Sequence, residues 1–162
     1  MFIFASNMLL KEIMLVKRIT AVLCFFLFPT FCSASLSEGP ERDSCFRKNA
    51  SVGEAYDCLA KKKAESAAEL DALIMRVNKS ILANNPGDFN GNEDAGITTG
   101  EVFSQRFLNA QTAWKQYRAR LCEAVATEIN EDAWDYHAYI DQCEITLNKR
   151  HAEEIRLMTQ PD

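Results

Sequence analysis

An all-α fold is predicted by three features of this chain. Apolar residues recur at spacings of three and four over long stretches. No stretch of useful length alternates with period two, and segments rich in Asn, Gly and Pro separate the helical stretches. Together they predict a three-helix up-down-up bundle, with two disulfides at one end supplied by four downstream cysteines.

Residues 1–34 are read as a secretory signal peptide. Met14-Leu-Val-Lys17-Arg18 is a short basic start, Ile19–Phe28 runs ten residues without a charge, Pro29 breaks the run, and Cys32-Ser33-Ala34 supplies small residues before a cut after Ala34. Starting at Met14 gives a signal of ordinary length. The apolar run is too short for a stable membrane anchor. Cys24 and Cys32 follow Leu23 and Phe31, where a lipobox needs a small residue. The remaining chain, 35–162, is expected to be one periplasmic or secreted domain with no membrane span.

Of 18 basic and 23 acidic side chains, removal of residues 1–34 takes Lys11, Lys17, Arg18 and Glu12, leaving 15 and 22, a net charge of −7. Such a balance excludes a nucleic-acid partner and admits a basic protein as one. Cys45, Cys58, Cys122 and Cys143 form an even set in an exported chain, which reads as two disulfides. No CxxC pair occurs and His137 and His151 are the only histidines, so no metal centre or cofactor is expected.

Along the chain, Ser35–Asn49 is polar and reads as irregular, with Gly39-Pro40 as a breaker. Ser51 and Glu54 then form a capping box, opening a helix from Gly53 to Ala83 with Leu59, Ala67, Leu70, Leu73, Ile74, Val77 and Ile81 as its core stripe. Lys61-Lys62-Lys63 reads as a solvated face. Asn84–Gly100 is a loop. Counted from Asn90, its Asn92, Asp94, Thr98 and Glu101 have the oxygen spacing of an EF-hand, but Asn90 replaces the first Asp and Ala95 the turn glycine. An exposed polar loop is the expectation there.

The second helix spans Glu101 to Glu128. Its predicted inner face is Phe107, Ala110, Trp114, Tyr117, Leu121 and Val125, with Lys115, Arg118 and Arg120 leaving toward other faces. Asn130-Glu131-Asp132 is a turn. The third helix runs from Ala133 to Met158, with Trp134 near its start and Ile140, Cys143, Leu147, His151 and Ile155 as its stripe. His151 on that stripe reads as a hydrogen-bonded, partly buried residue. An up-down-up path brings all four cysteines toward one end. Local pairing, Cys45–Cys58 and Cys122–Cys143, is the economical choice, with the other two connectivities open.

These residues carry a resemblance. Cys45 and Cys58 have twelve residues between them; Ala110-Gln111-x-x-Trp114-x-x-Tyr117-Arg118-x-x-x-Cys122 forms a central motif; Cys143, Thr146, Arg150, Ala152 and Ile155 form a last one; Ala67–Leu70 begins a first-helix motif. In these the chain resembles the lysozyme-inhibitor LprI-like family of small exported bacterial proteins, from about Cys45 to Ile155. It departs in having Asp71 and Ile74 where that family tends to have Asn and Tyr, in a long Asn84–Gly100 loop, and in an acidic, aromatic Asn130–Asp141 segment.

The resemblance implies binding of lysozyme for some members. Gln111, Trp114, Tyr117, Arg118, Thr146 and Arg150 are its motif residues, read as mainly structural, with Arg118 and Arg150 bridging helices to a carboxylate such as Asp71 or Glu69. An acidic inhibitor would be steered to a basic enzyme and block its cleft with a loop. Asp88, Phe89, Glu93 and Asp94 are the candidate partner-binding residues, with Asp132, Asp135 and Tyr136 a second patch at the opposite end. The alternative is a non-enzymatic structural or adaptor module of the envelope. An enzyme is not expected: no Ser–His–Asp or Cys–His arrangement is visible, and Glu153-Glu154 are adjacent and so face different directions on a helix.

Overall fold

The computed structural model describes residues 35–91, 94 and 96–158; the expected signal segment, Asn92, Glu93 and Ala95 lie outside that set. The described residues form four helices, α1 Pro40–Lys48, α2 Val52–Asn84, α3 Thr99–Ala126 and α4 Tyr136–Leu157, with a 3-10 turn at Phe89–Gly91. No strand occurs among them; an isolated antiparallel bridge joins Asp88 and Thr98. The fold is all-α, and the expected count of three helices is corrected to four.

The additional helix is α1, in the segment expected to be irregular. Pro40 begins it, Glu41 and Asp43 lie in its first turn, and Arg47 and Lys48 in its last, an order that suits the helix dipole. Its N-cap, Gly39, has no side chain to offer. The missing cap comes from α4: Gln142 Oε1 accepts from the Arg42 amide at 2.8 Å, and Gln142 Nε2 donates to Glu41 Oε2 at 3.1 Å and to Thr146 Oγ1 at 3.3 Å. Lys149 pairs with Glu41 from the same helix. Burial works to raise the Glu41 pKa, but its bonds to Lys149 and Gln142 outweigh it and hold the carboxyl below its usual range. Arg42 lies 4.7 Å from the Tyr139 ring centroid and 3.6 Å from Asp135, so α1 is fastened to α4 by its N-terminal half.

The other fastening is the Cys45–Cys58 disulfide, with Cα atoms 5.7 Å apart, between α1 and the second turn of α2. Around it Cys45, Leu59, Ala138 and Ile145 form a small buried cluster with Phe46 and Tyr56 against it.

Helix α2 opens with the predicted capping box: Ser51 Oγ accepts from the Glu54 amide at 3.2 Å, and Glu54 Oε2 accepts from the Ser51 amide at 3.3 Å. Its buried residues are Ala55, Leu59, Leu70, Leu73, Ile74, Val77 and Ile81, the predicted stripe with Ala67 only half-buried. Lys63 does not sit on a purely solvated face, since it pairs with Asp141 at 2.5 Å.

The larger core joins Leu70, Leu73, Ile74, Val77 and Ile81 of α2 to Phe107 of α3 and Ile155 of α4. Full burial of each such side chain contributes roughly 1.5–3 kcal/mol. Contacts between α2 and α3 run in opposite directions along the two helices, from Asp71–Lys115 at 2.6 Å through Asn78–Ser104 at 2.7 Å to Asn85–Gly100 at 2.9 Å. The last is a close approach that only glycine allows, because a Cβ on Gly100 would stand 2.8 Å from the Asn85 carbonyl oxygen.

Candidate functional site

Helix α3 presents a different face to the bundle from the one its apolar residues predict. Its buried residues are Gly100, Ser104, Phe107, Gln111, Cys122 and Ala126. Trp114 and Arg118 lie half-buried on the same side, whereas Ala110 is exposed and Tyr117 is 57% exposed. The inner face is thus turned by most of one residue step, roughly 100°. The reason is polar. Ser104, Gln111 and Arg118 point inward because partners wait for them on the neighbouring helices.

On α4 those partners are Asn148 and His151. Gln111 Oε1 lies 2.7 Å from His151 Nε2, and Glu154 Oε2 lies 2.8 Å from His151 Nδ1. The imidazole is stacked on the Trp114 indole, with centroids 3.9 Å apart and planes 8° from parallel. Arg118 donates to Asn148 Oδ1 at 2.6 Å and lies 3.6 Å from Glu144. Asn148 in turn donates to Ser66 Oγ of α2 at 3.1 Å, which carries the network to the third helix. Arg118 therefore bridges helices as expected, but to Glu144 and Asn148; Asp71, one of the carboxylates expected for it, pairs with Lys115.

Other motif residues take different places. Cys122 and Cys143 form the second disulfide, with Cα atoms 5.5 Å apart. Thr146 donates to the Gln142 carbonyl at 2.9 Å and receives the Gln142 amide, so it steadies the α1 cap. Arg150 is exposed. Ile140 and Leu147 are half-buried, while Ala138, Gln142, Ile145 and Asn148, absent from the predicted α4 stripe, are buried to within 2%.

The Asn84–Gly100 loop is knit into a narrow turn. The Phe89 amide donates to the Ile97 carbonyl at 3.0 Å, the Thr99 amide to the Gly87 carbonyl at 2.8 Å, and Asn90, with φ 57°, closes it. Glu101, which would be the last calcium ligand of an EF-hand, is occupied otherwise. Its Oε2 accepts from the Thr98 amide at 2.7 Å and hydroxyl at 3.0 Å, which caps α3 and holds the carboxyl below its usual range. Asp88 and Asp94 are exposed on this loop, Phe89 is half-buried with the Arg106 guanidinium 5.8 Å from its ring centroid, and Glu93 lies outside the described residues. Among the described residues no group of three His, Cys, Asp or Glu side chains is placed to hold a metal ion.

The second predicted patch divides. Asp135 is engaged in the fold, accepting from the Tyr56 hydroxyl at 2.6 Å and pairing with Arg42. Burial and that hydrogen bond push the Tyr56 pKa up to about 12. Tyr136 is half-buried against His137. Trp134, expected near the start of the third helix, precedes it, since α4 begins two residues later at Tyr136, and is 89% exposed. It sits on a loop set by three short bonds: the Ala133 amide to the Asn130 carbonyl at 2.8 Å, the Tyr136 amide to the Ala133 carbonyl at 3.0 Å, and the Asp132 amide to Asn130 Oδ1 at 3.1 Å. Glu128, Glu131 and Asp132 are exposed on the same loop. The signal for this loop in the sequence is the run Asn130-Glu131-Asp132, which ends helical continuity before the tryptophan.

A groove of about 410 Å³ lies between α2 and α4, with Leu70 and Leu73 in its lining, and its charged rim is largely paired: Lys149 to Glu41 and Arg156 to Glu153 at 2.6 Å. No helix of the described residues is long and apolar enough to cross a membrane. No family model, curated protein or solved structure matches this chain. The likeness to the LprI-like family rests on the motif residues alone.

Proposed function

We propose that this chain is an exported, non-enzymatic binding protein that takes a basic protein partner, and that lysozyme is that partner. Its three long helices, in an up-down-up course, act as a stapled scaffold for the Asn130–Asp135 loop. The single observation that carries this reading is Trp134, 89% exposed beside Glu128, Glu131 and Asp132. Large aromatic side chains left in water at the tip of a hydrogen-bonded loop are the residue type that anchors interfaces. The carboxylates around it supply attraction to a cationic surface and a preference for partners of that charge. This loop suits the role better than the Asp88–Asp94 loop, whose aromatic residue already lies under Arg106. The lysozyme assignment comes from the motif resemblance, and the acidity of the chain accords with it.

Binding of a basic lysozyme to the immobilised oxidised protein, read by calorimetry and surface capture, tests the reading. Trp134→Ala is expected to weaken binding by about 2 kcal/mol or more, roughly thirtyfold, with an unchanged melting temperature. Added salt is expected to slow association, since attraction between exposed charges is screened within about 8 Å at physiological ionic strength. Binding by the parent that ignores both Trp134→Ala and salt places the site elsewhere. No binding to any lysozyme class returns the chain to an adaptor role in the envelope.

A further inference from the structure

The face that α3 turns away from the bundle carries a periodicity of its own. Phe103, Ala110 and Tyr117 recur every seven residues, and Arg106, Ala113 and Arg120 follow each of them three residues later. All six positions are exposed, Phe103 by 38% and Tyr117 by 57%. A seven-residue repeat of this kind is the pattern of a helix that packs along its length against another helix. Ala113, Gln116, Tyr117 and Arg120 stand at i, i+3, i+4 and i+7 and, with Leu121, line a shallow depression of about 380 Å³. Four residues at that spacing are the hole of knobs-into-holes packing. Arg106 stands 5.8 Å from the Phe89 ring centroid, and none of the six positions is buried in the bundle.

We propose that a second copy of this chain docks here, with the two α3 helices antiparallel. The repeat is self-complementary in that direction. A two-fold axis at the height of the Gln111–Thr112 step sets Phe103 opposite Arg120, Arg106 opposite Tyr117 and Ala110 opposite Ala113, and each pairing occurs twice. The central layers are alanine on both sides and let the helices approach closely. The outer layers lay an arginine on an aromatic ring, which is an attractive pairing in place of a clash of like charges.

Charge favours this face over others. The chain has a net charge of −5, so two copies repel at most orientations. From Val102 to Cys122 there is no Asp or Glu at all. Two copies that meet along α3 bring their acid-free surfaces together and keep their carboxylates at the outside. The Trp134 loop is not part of this contact, so dimer formation and partner binding are separable.

Sedimentation equilibrium of the purified oxidised protein, over a series reaching about 500 µM, reads the association; a seam of one helix per copy falls at the small end of stable interfaces. The expected result is a reversible monomer–dimer equilibrium with Kd on the order of 10–100 µM. Tyr117→Ala is expected to weaken it at least tenfold with an unchanged melt, since Tyr117 makes little of the fold. Direction is read with a short bismaleimide linker. An equal mixture of Phe103→Cys and Arg120→Cys proteins should cross-link, and each alone should do so poorly, because two copies of either residue would stand about 26 Å apart along antiparallel helices. A monomer throughout the series overturns the proposal. So does Tyr117→Ala that associates like the parent, or Phe103→Cys that links to itself as well as to Arg120→Cys.

Discussion

Replacing Gln142 by Ala should detach α1 from the bundle while leaving it tethered by its disulfide. Gln142 is 0% exposed and makes three contacts: to the Arg42 amide, to Glu41 and to Thr146. The Arg42 amide is one of the first amides of α1, and without Gln142 it has no cap, a loss of about 1–3 kcal/mol. The charged Glu41 carboxylate loses a donor, and the truncated side chain leaves a void. Together these are worth about 3–5 kcal/mol, or about 10–20 °C in melting temperature for a domain of this size. Denaturant titration with both disulfides intact gives the total. Hydrogen exchange at the α1 amides locates it, because protection should fall over Arg42–Lys48 and persist in α2. Gly39→Ala should act in the same direction, since its Cβ would stand 2.5 Å from Gln142 Nε2. A loss under about 1 kcal/mol with α1 protection intact would refute the view that a side chain from α4 holds this helix in place.

Stability should fall between about pH 10 and pH 12 through Tyr56, whose folded pKa of about 12 lies above the unfolded value. The folded state holds that proton more tightly, so the contribution is full below pH 10 and lost as pH rises; Tyr56→Phe should flatten this part of the melting profile. Gly100→Ala should cost about 1–3 kcal/mol, measured by thermal melt, because the new Cβ meets a backbone oxygen. Protein purified without reductant should show no free thiol among Cys45, Cys58, Cys122 and Cys143, and its peptides should link in those two pairs. Removing either bridge by paired Cys→Ala substitution should cost roughly 2–4 kcal/mol.

Helix α2, its capping box and both disulfide pairs were legible in the sequence because their signals are local: a stripe, a Ser-x-x-Glu step, cysteines a short way apart. Three features were not, and two of them depend on a residue far along the chain. Helix α1 buries only Cys45 and takes its cap from a residue 100 positions away, so no periodicity announces it. The inner face of α3 was misplaced because apolar periodicity is blind to Gln111 and Arg118, polar residues that can turn inward only where His151 and Asn148 receive them. Two of the residues expected inside, Ala110 and Tyr117, belong instead to the outer repeat. Trp134 was expected inside the start of the third helix, and the helix begins two residues after it because the Asn130–Ala133 turn delays its start.

The polar contacts between α3 and α4 also bear on how this protein acquires its cross-links. A slip of α3 along α4 by one helical turn is a shift of about 5.4 Å. Here such a slip would part Gln111 from His151 and Arg118 from Asn148 together. It would also move Cys122 off Cys143, whose Cα atoms now stand 5.5 Å apart, beyond the reach of a disulfide. These hydrogen bonds therefore fix the register of α3 on α4 in which Cys122 faces Cys143. Replacing His151 or Asn148 removes part of that register and should slow closure of the Cys122–Cys143 bridge from the reduced chain, read by free-thiol titration during oxidation, while the Cys45–Cys58 bridge between α1 and α2 is left as it was.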